Sequence, residues 1–155
     1  MGTTLIKEAV LLAVATSLAA AACPTSDWAQ YGNSCYWLSD FQLEWRSVSS
    51  DCGLVQPGSK SVSVHDLQAH AFLADLTEGN GTWLGLHRAS TTAGWTWSDG
   101  SPFDWEFWRS DQPAGEGERC AFMNCDSHGE WCTADCADGF YYYFYGLYFL
   151  CQIDA

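Results

Sequence analysis

The sequence predicts an α+β domain in which two helices flank antiparallel sheets and one long irregular loop, the whole stapled by disulfides. Three observations carry this. Helical segments are grouped ahead of most strand-like segments instead of alternating with them, which separates α+β from α/β order. Eight cysteines, an even number, are the composition of a cross-linked exported domain. Finally, the stretch Trp95–Cys136 holds four of the eight cysteines and is dense in Trp, Asp and Glu, yet shows no helical or strand period beyond a few residues. An irregular stretch of that length in a small domain is functional or covalently pinned.

The beginning of the chain reads as a leader. A polar start with Lys7 gives way to an apolar run over Ala9–Ala15, which resumes at Leu18 and ends in Ala20-Ala21-Ala22. This is the layout of a secretory signal peptide with a small-residue cleavage site, and its apolar run is too short to span a bilayer. The expected organisation is a signal peptide over residues 1–22 and one domain over residues 23–155. No other stretch is apolar enough for a membrane span, so the expected product is secreted and extracellular. The net charge of −13 makes nucleic acid and anionic membranes poor partners.

The elements follow in order. Trp28, Tyr31, Cys35 and Tyr36 surround the turn signal Gly32-Asn33, which predicts a small hairpin closed by Cys23 and Cys35 and a strand near Cys35–Leu38. Trp45, Val48 and Cys52 stand at i, i+3 and i+7, one face of a helix, with Gly53 as its expected stop. Gln56-Pro57-Gly58-Ser59 is a loop. A second helix is expected from Ser63, a capping residue with Asp66 three positions on; Leu67, Phe72, Leu73 and Leu76 supply its apolar side. Asn80-Gly81-Thr82 is an N-glycosylation acceptor in a turn. Trp83-Leu84-Gly85-Leu86 reads as a buried strand in which Gly85 signals close approach by a neighbour. Trp95-Thr96-Trp97 is a strand, Ser98-Asp99-Gly100-Ser101 its turn, Arg119–Met123 another strand, and the aromatic run Phe140–Ile153 a closing one.

Taken together and in order, these segments resemble the C-type lectin-like domain, over essentially the whole of Cys23–Ile153. Cys23-Pro24, Trp28, Tyr31 and Cys35-Tyr36 are similar to the amino-terminal hairpin of the family's long form. Trp45–Cys52 and Val62–Leu73 are similar to its two helices. Trp83-Leu84-Gly85-Leu86 matches its "WIGL" core strand, and Trp95–Gly100 the strand and turn before its long loop. Gln112-Pro113, Glu118, Cys120, Trp131, Cys136 and Cys151 complete the pattern. The resemblance implies bonds between Cys23 and Cys35, Cys52 and Cys151, and Cys120 and Cys136. Cys125 and Cys132 remain, and are expected to bond each other as an extra staple. The rival for Cys120, Cys125, Cys132 and Cys136, with His128 among them, is a zinc site; their spacing and an oxidising compartment favour disulfides.

In sugar-binding members of that family a Ca²⁺ ion in the long loop holds the ligand, and Ca²⁺ requires six to eight oxygen donors. The resemblance places Gln112, Pro113, Glu118 and Thr133 at the ligand-binding positions, with Gln112 and Glu118 as the metal-binding residues. Ala114, Cys132 and Thr133 depart from the calcium pattern, so calcium is a doubtful cofactor at the usual site. A displaced set such as Glu116, Glu118 and Asp135 is the alternative, set against plain solvated charges. Trp105, Phe107, Trp108 and Trp131 offer aromatic faces for sugar stacking without calcium; Trp108 and Trp131 are expected to be buried and Trp105 partly exposed. Strand alternation in Phe140–Phe149 leaves half its aromatics for a partner surface.

An enzyme is not expected. There is no Gly-x-Ser-x-Gly nucleophile motif, and His65, His70, His87 and His128 are scattered. The expected function is that of a secreted C-type lectin, a carbohydrate-recognition protein in innate defence with a degenerate calcium and sugar site. The alternative is a lectin-like domain that recognises a protein surface, or ice, without calcium or sugar.

Overall fold

A computed structural model describes residues 22–137 and 147–155. The elements in chain order are β1 (Ala29–Tyr31), β2 (Ser34–Leu38), α1 (Trp45–Val55), β3 (Lys60–Ser61), α2 (Leu67–Leu76), β4 (Thr82–Arg88), β5 (Thr96–Trp97), β6 (Arg119–Met123), β7 (Cys132–Ala134) and β8 (Tyr148–Asp154). The strands form one sheet in the order β1-β2-β8-β4-β6-β7, with β3 paired to β8 and β5 to β4. The sheet is mixed: β4 runs parallel to β8, against the expectation of antiparallel pairing alone. The other strand pairs are antiparallel.

The central strands are buried on both faces, and their residues alternate between two cores as a period of two requires. Trp83, Cys120, Phe122, Phe149 and Cys151 face one core, which α1 covers with Val48 and Cys52. Leu84, Leu86, Ala121, Met123 and Leu150 face the other, covered by Leu73 of α2 and by Trp97 and Trp131. The sheet therefore separates a disulfide-rich layer from a layer that carries the long loop. Gly85 sits where β4 meets its neighbours: a Cβ there would lie 2.8 Å from Ser98 Oγ and 2.9 Å from both Ser61 Oγ and the Val62 carbonyl oxygen.

Two predicted boundaries shift. α1 runs through Gly53 to Val55, with Gln56 as its cap. Gly53 is thus interior to the helix; the buried anchors Val48 and Cys52 hold the last turn despite glycine's low propensity. α2 begins at Leu67, not Ser63. Asp66 is its N-cap, accepting from the Ala69 amide at 2.7 Å, while Ser63 lies in extended chain and donates to Asp99 Oδ2 at 2.7 Å. Both are short polar residues able to cap, and the hydrogen bond across the molecule to Asp99 decided between them. Of the closing aromatic segment, Tyr148–Asp154 is strand; residues 138–146 lie outside the described residues, and with them most of the aromatic run.

All eight cysteines are paired, as Cys23–Cys35, Cys52–Cys151, Cys120–Cys136 and Cys125–Cys132. No thiolate remains for a zinc site. Among the described residues no helix is long and apolar enough to cross a membrane.

Candidate functional site in the long loop

Between β5 and β6 the chain runs through residues 98–118 without a strand. The turn after β5 is set by Asp99. Burial would raise its carboxyl, but the hydroxyls of Ser101 and Ser63 and the Ser101 amide hold it below the usual carboxylate range. Trp131 is the loop's anchor. It is wholly buried, its amide donates to the Phe107 carbonyl at 2.8 Å and its carbonyl accepts from the Arg109 amide at 3.0 Å. Edge-on contacts surround its ring, at 5.4 Å from Trp105, 5.6 Å from Trp108 and 5.9 Å from Trp97. Such T-shaped geometry is the favoured one for aromatic pairs.

Trp131 Nε1 faces His70 Nδ1 of α2 at 3.4 Å. The imidazole lies among Trp105, Phe107 and Trp131 and is 3% exposed. Burial pushes its pKa down, so Nδ1 stays free to accept the indole proton. His70 therefore joins α2 to the loop, a role no sequence motif announces. Trp105 is half-buried, with one ring face stacked on Phe107 at 5.8 Å and 10°. Trp108 is also half-buried, not buried as expected; it packs on Trp95 at 5.0 Å, and Arg88 covers Trp95 from 5.3 Å. Trp108 packs on the core through Trp131, while its indole N–H donates to the exposed Glu106 Oε2 at 2.9 Å.

Of the positions that the resemblance assigns to calcium, Ala114 and Thr133 gather around Gln112, whose bond to Pro113 is cis. Gln112 Oε1 accepts from Thr133 Oγ1 at 2.9 Å, the Thr133 amide at 3.1 Å and the Ala114 amide at 3.1 Å. Thr133 Oγ1 also faces the Ala114 carbonyl at 2.7 Å; with one proton, the hydroxyl serves one acceptor at a time. Glu118 is ion-paired to Arg46 of α1. Arg119 donates to the Glu118 carbonyl at 3.1 Å and approaches Asp135 at 3.6 Å. Its guanidinium lies against Gly115, whose φ of 83° is what favours glycine at that position. Cys132 is spent in a disulfide.

These residues do not fit calcium. The amide oxygen of Gln112 is saturated with protein donors, the Glu118 carboxylate has an arginine, and Ala114 and Cys132 offer no side-chain oxygen. The displaced set fares no better: Glu116, Glu118 and Asp135 are not among the described residues whose ligand atoms gather in one place. Asn80 stands on the exposed turn after α2, its side-chain amide donating to the Thr77 carbonyl at 3.0 Å.

The chain belongs to the Lectin C-type domain family, whose model matches residues 41–143. Lectin BRA-3 of Megabalanus rosa is 31% identical over 137 residues, covering 84% of this chain and 85% of that one. C-type mannose receptor 2 of Mus musculus is 34% identical over 113 residues; the match covers 70% of this chain but spans only 7% of the receptor. Among solved structures, the carbohydrate-recognition domain of cow CD23, determined in the presence of an oligosaccharide, superposes with a TM-score of 0.72 at 25% identity, covering 86% of this chain and 97% of that one. The herring type II antifreeze protein shares the fold, with a TM-score of 0.69 at 23% identity over 86% of this chain and 99% of that one. This is a fold family that is generally non-enzymatic.

Proposed function

We propose that this chain is exported behind a signal peptide over residues 1–22 and acts as a carbohydrate-recognition protein in innate defence, reading glycans without calcium in its long loop. The carrying observation is the internal satisfaction of the family's calcium positions, with Gln112, Ala114 and Thr133 bonded to one another and Glu118 to Arg46. What remains for a sugar is the half-buried ring of Trp105 and, elsewhere in the loop region, the polar groups at Gln112, Pro113, Glu118 and Thr133. Relatives named as lectins support the sugar reading.

The test is a glycan array probed with the oxidised protein in metal-stripped buffer, with and without added calcium. Binding is expected in both, and Trp105→Ala is expected to weaken it about tenfold or more, since an aromatic–ring stack is worth roughly 1–2 kcal/mol. Binding that appears only with calcium overturns the calcium-free reading. Silence on all glycans would favour the second reading, recognition of a protein surface. Phe41 and Leu67, exposed by 45% and 54%, favour that reading.

A further inference from the structure

A second cluster of donors lies apart from the calcium positions, inside the small ring closed by Cys125–Cys132. We infer that Asp126, His128 and Glu130 form a binding site for a divalent transition ion of the zinc type. One ligand atom from each lies within 4.8 Å of the other two. Ligands at zinc's bond length in a tetrahedron stand roughly 3.4 Å apart. Of the three, His128 has the freedom to swing in, its side chain 78% exposed, towards the two partly buried carboxylates.

The ring prepares this arrangement. The disulfide closes a sequence separation of 7. Within it Asp126 Oδ1 accepts the His128 amide at 2.9 Å and the Glu130 amide at 3.4 Å. That turns the alternate side chains at 126, 128 and 130 to one side and leaves Asp126 Oδ2 facing His128 Nδ1 at 3.7 Å. Asp126 and Glu130 present carboxylate oxygens within 4.8 Å of one another. Two carboxylates held together call for a cation, and the four arginines are engaged elsewhere. Arg109, the arginine nearest in charge effect, gives its donors to Asp111 at 2.7 and 3.0 Å. The other arginines bond Glu118, Gly115 and Asp135.

A pocket of about 410 Å³ gives access. Asp126 and His128 line it together with Asp75, Glu78 and Asn124, and Glu130 stands just outside this lining. Its acidic lining concentrates cations at the mouth. The donor set selects among them: an imidazole nitrogen beside carboxylates suits zinc and its neighbours, whereas calcium takes oxygens only. Three protein ligands leave a fourth position to water, the open form of a zinc site.

The test is calorimetric titration of ZnCl₂ into the oxidised, tag-free protein. One equivalent is expected to bind. His128→Ala and Glu130→Gln are each expected to lower the affinity at least tenfold. His65→Ala, at the other exposed histidine–carboxylate pair (His65 Nδ1 to Asp104 at 2.8 Å), is expected to leave it unchanged. In parallel, NMR is expected to show the His128 ring resonances moving on zinc addition while those of His70 stay fixed. Absence of binding at millimolar zinc overturns the assignment. So does binding that both variants leave intact, or a CaCl₂ titration of equal stoichiometry and strength.

Discussion

At the scale of single residues, His70 joins burial to function. Its neutral imidazole accepts from Trp131, and protonation would remove that lone pair and place a charge among three aromatic rings. Because burial lowers its folded pKa, the unfolded chain takes up the proton first as pH falls. The stabilisation it gives is complete above the ordinary histidine pKa and is lost as pH drops below it towards the folded value. Chemical denaturation from pH 7.5 to pH 5 is expected to show a stability slope that His70→Gln flattens by up to about 1.4 kcal/mol per pH unit. An unchanged slope would remove His70 from the account. A lone histidine carries no spacing signal, so this role was not legible in the sequence. The departures at Ala114, Cys132 and Thr133 were legible, because a missing oxygen donor is visible in the residue type alone. The partners of the remaining positions were not: the Gln112–Thr133 and Arg46–Glu118 contacts join residues far apart in the chain.

At the scale of elements, the strands read well and the helix ends less so. β6 occupies the span its residue types suggested, and β4 extends its predicted core by one residue before and two after. Alternating apolar residues placed on a two-sided sheet leave little freedom of register. Helix ends answer to single capping contacts, and both Ser63 and Asp66 have the chemistry to cap; only the tertiary bond from Ser63 to Asp99 separates them. Gly85 shows the strand signal at its most specific. Its backbone carries the crossing of β4 with the Val62 carbonyl and two serine hydroxyls, and a carbonyl cannot rotate away as a side chain can. Gly85→Ala is expected to cost about 1–3 kcal/mol by overpacking, read as a lowered guanidinium midpoint with the slope unchanged. A neutral result would mean that β3 and β4 slide apart freely.

At the scale of the whole molecule, the sheet order separates the chain ends from the recognition loop. The first and last described strands meet on β1, β2 and β8, where Ser34 pairs with Asp154 and the Ala155 amide donates to the Asn33 carbonyl at 2.8 Å. The long loop leaves β5, enters β6 and is held by Trp131, just ahead of β7. The same division appears in the bonds: Cys52–Cys151 closes a separation of 99 and Cys23–Cys35 one of 12.

Those two bridges also route mechanical load. Tension applied between residues 23 and 155 jumps from Cys23 to Cys35, runs through the short span to Cys52, and then crosses directly to Cys151. Everything between Cys52 and Cys151, including the aromatic loop and the Asp126–Glu130 ring, lies off that line. Single-molecule stretching of the oxidised protein is expected to release only about 60 Å of contour, against roughly 450 Å after reduction. A molecule tethered by its ends in moving fluid would thus be strained along its spine while its recognition surface stayed slack.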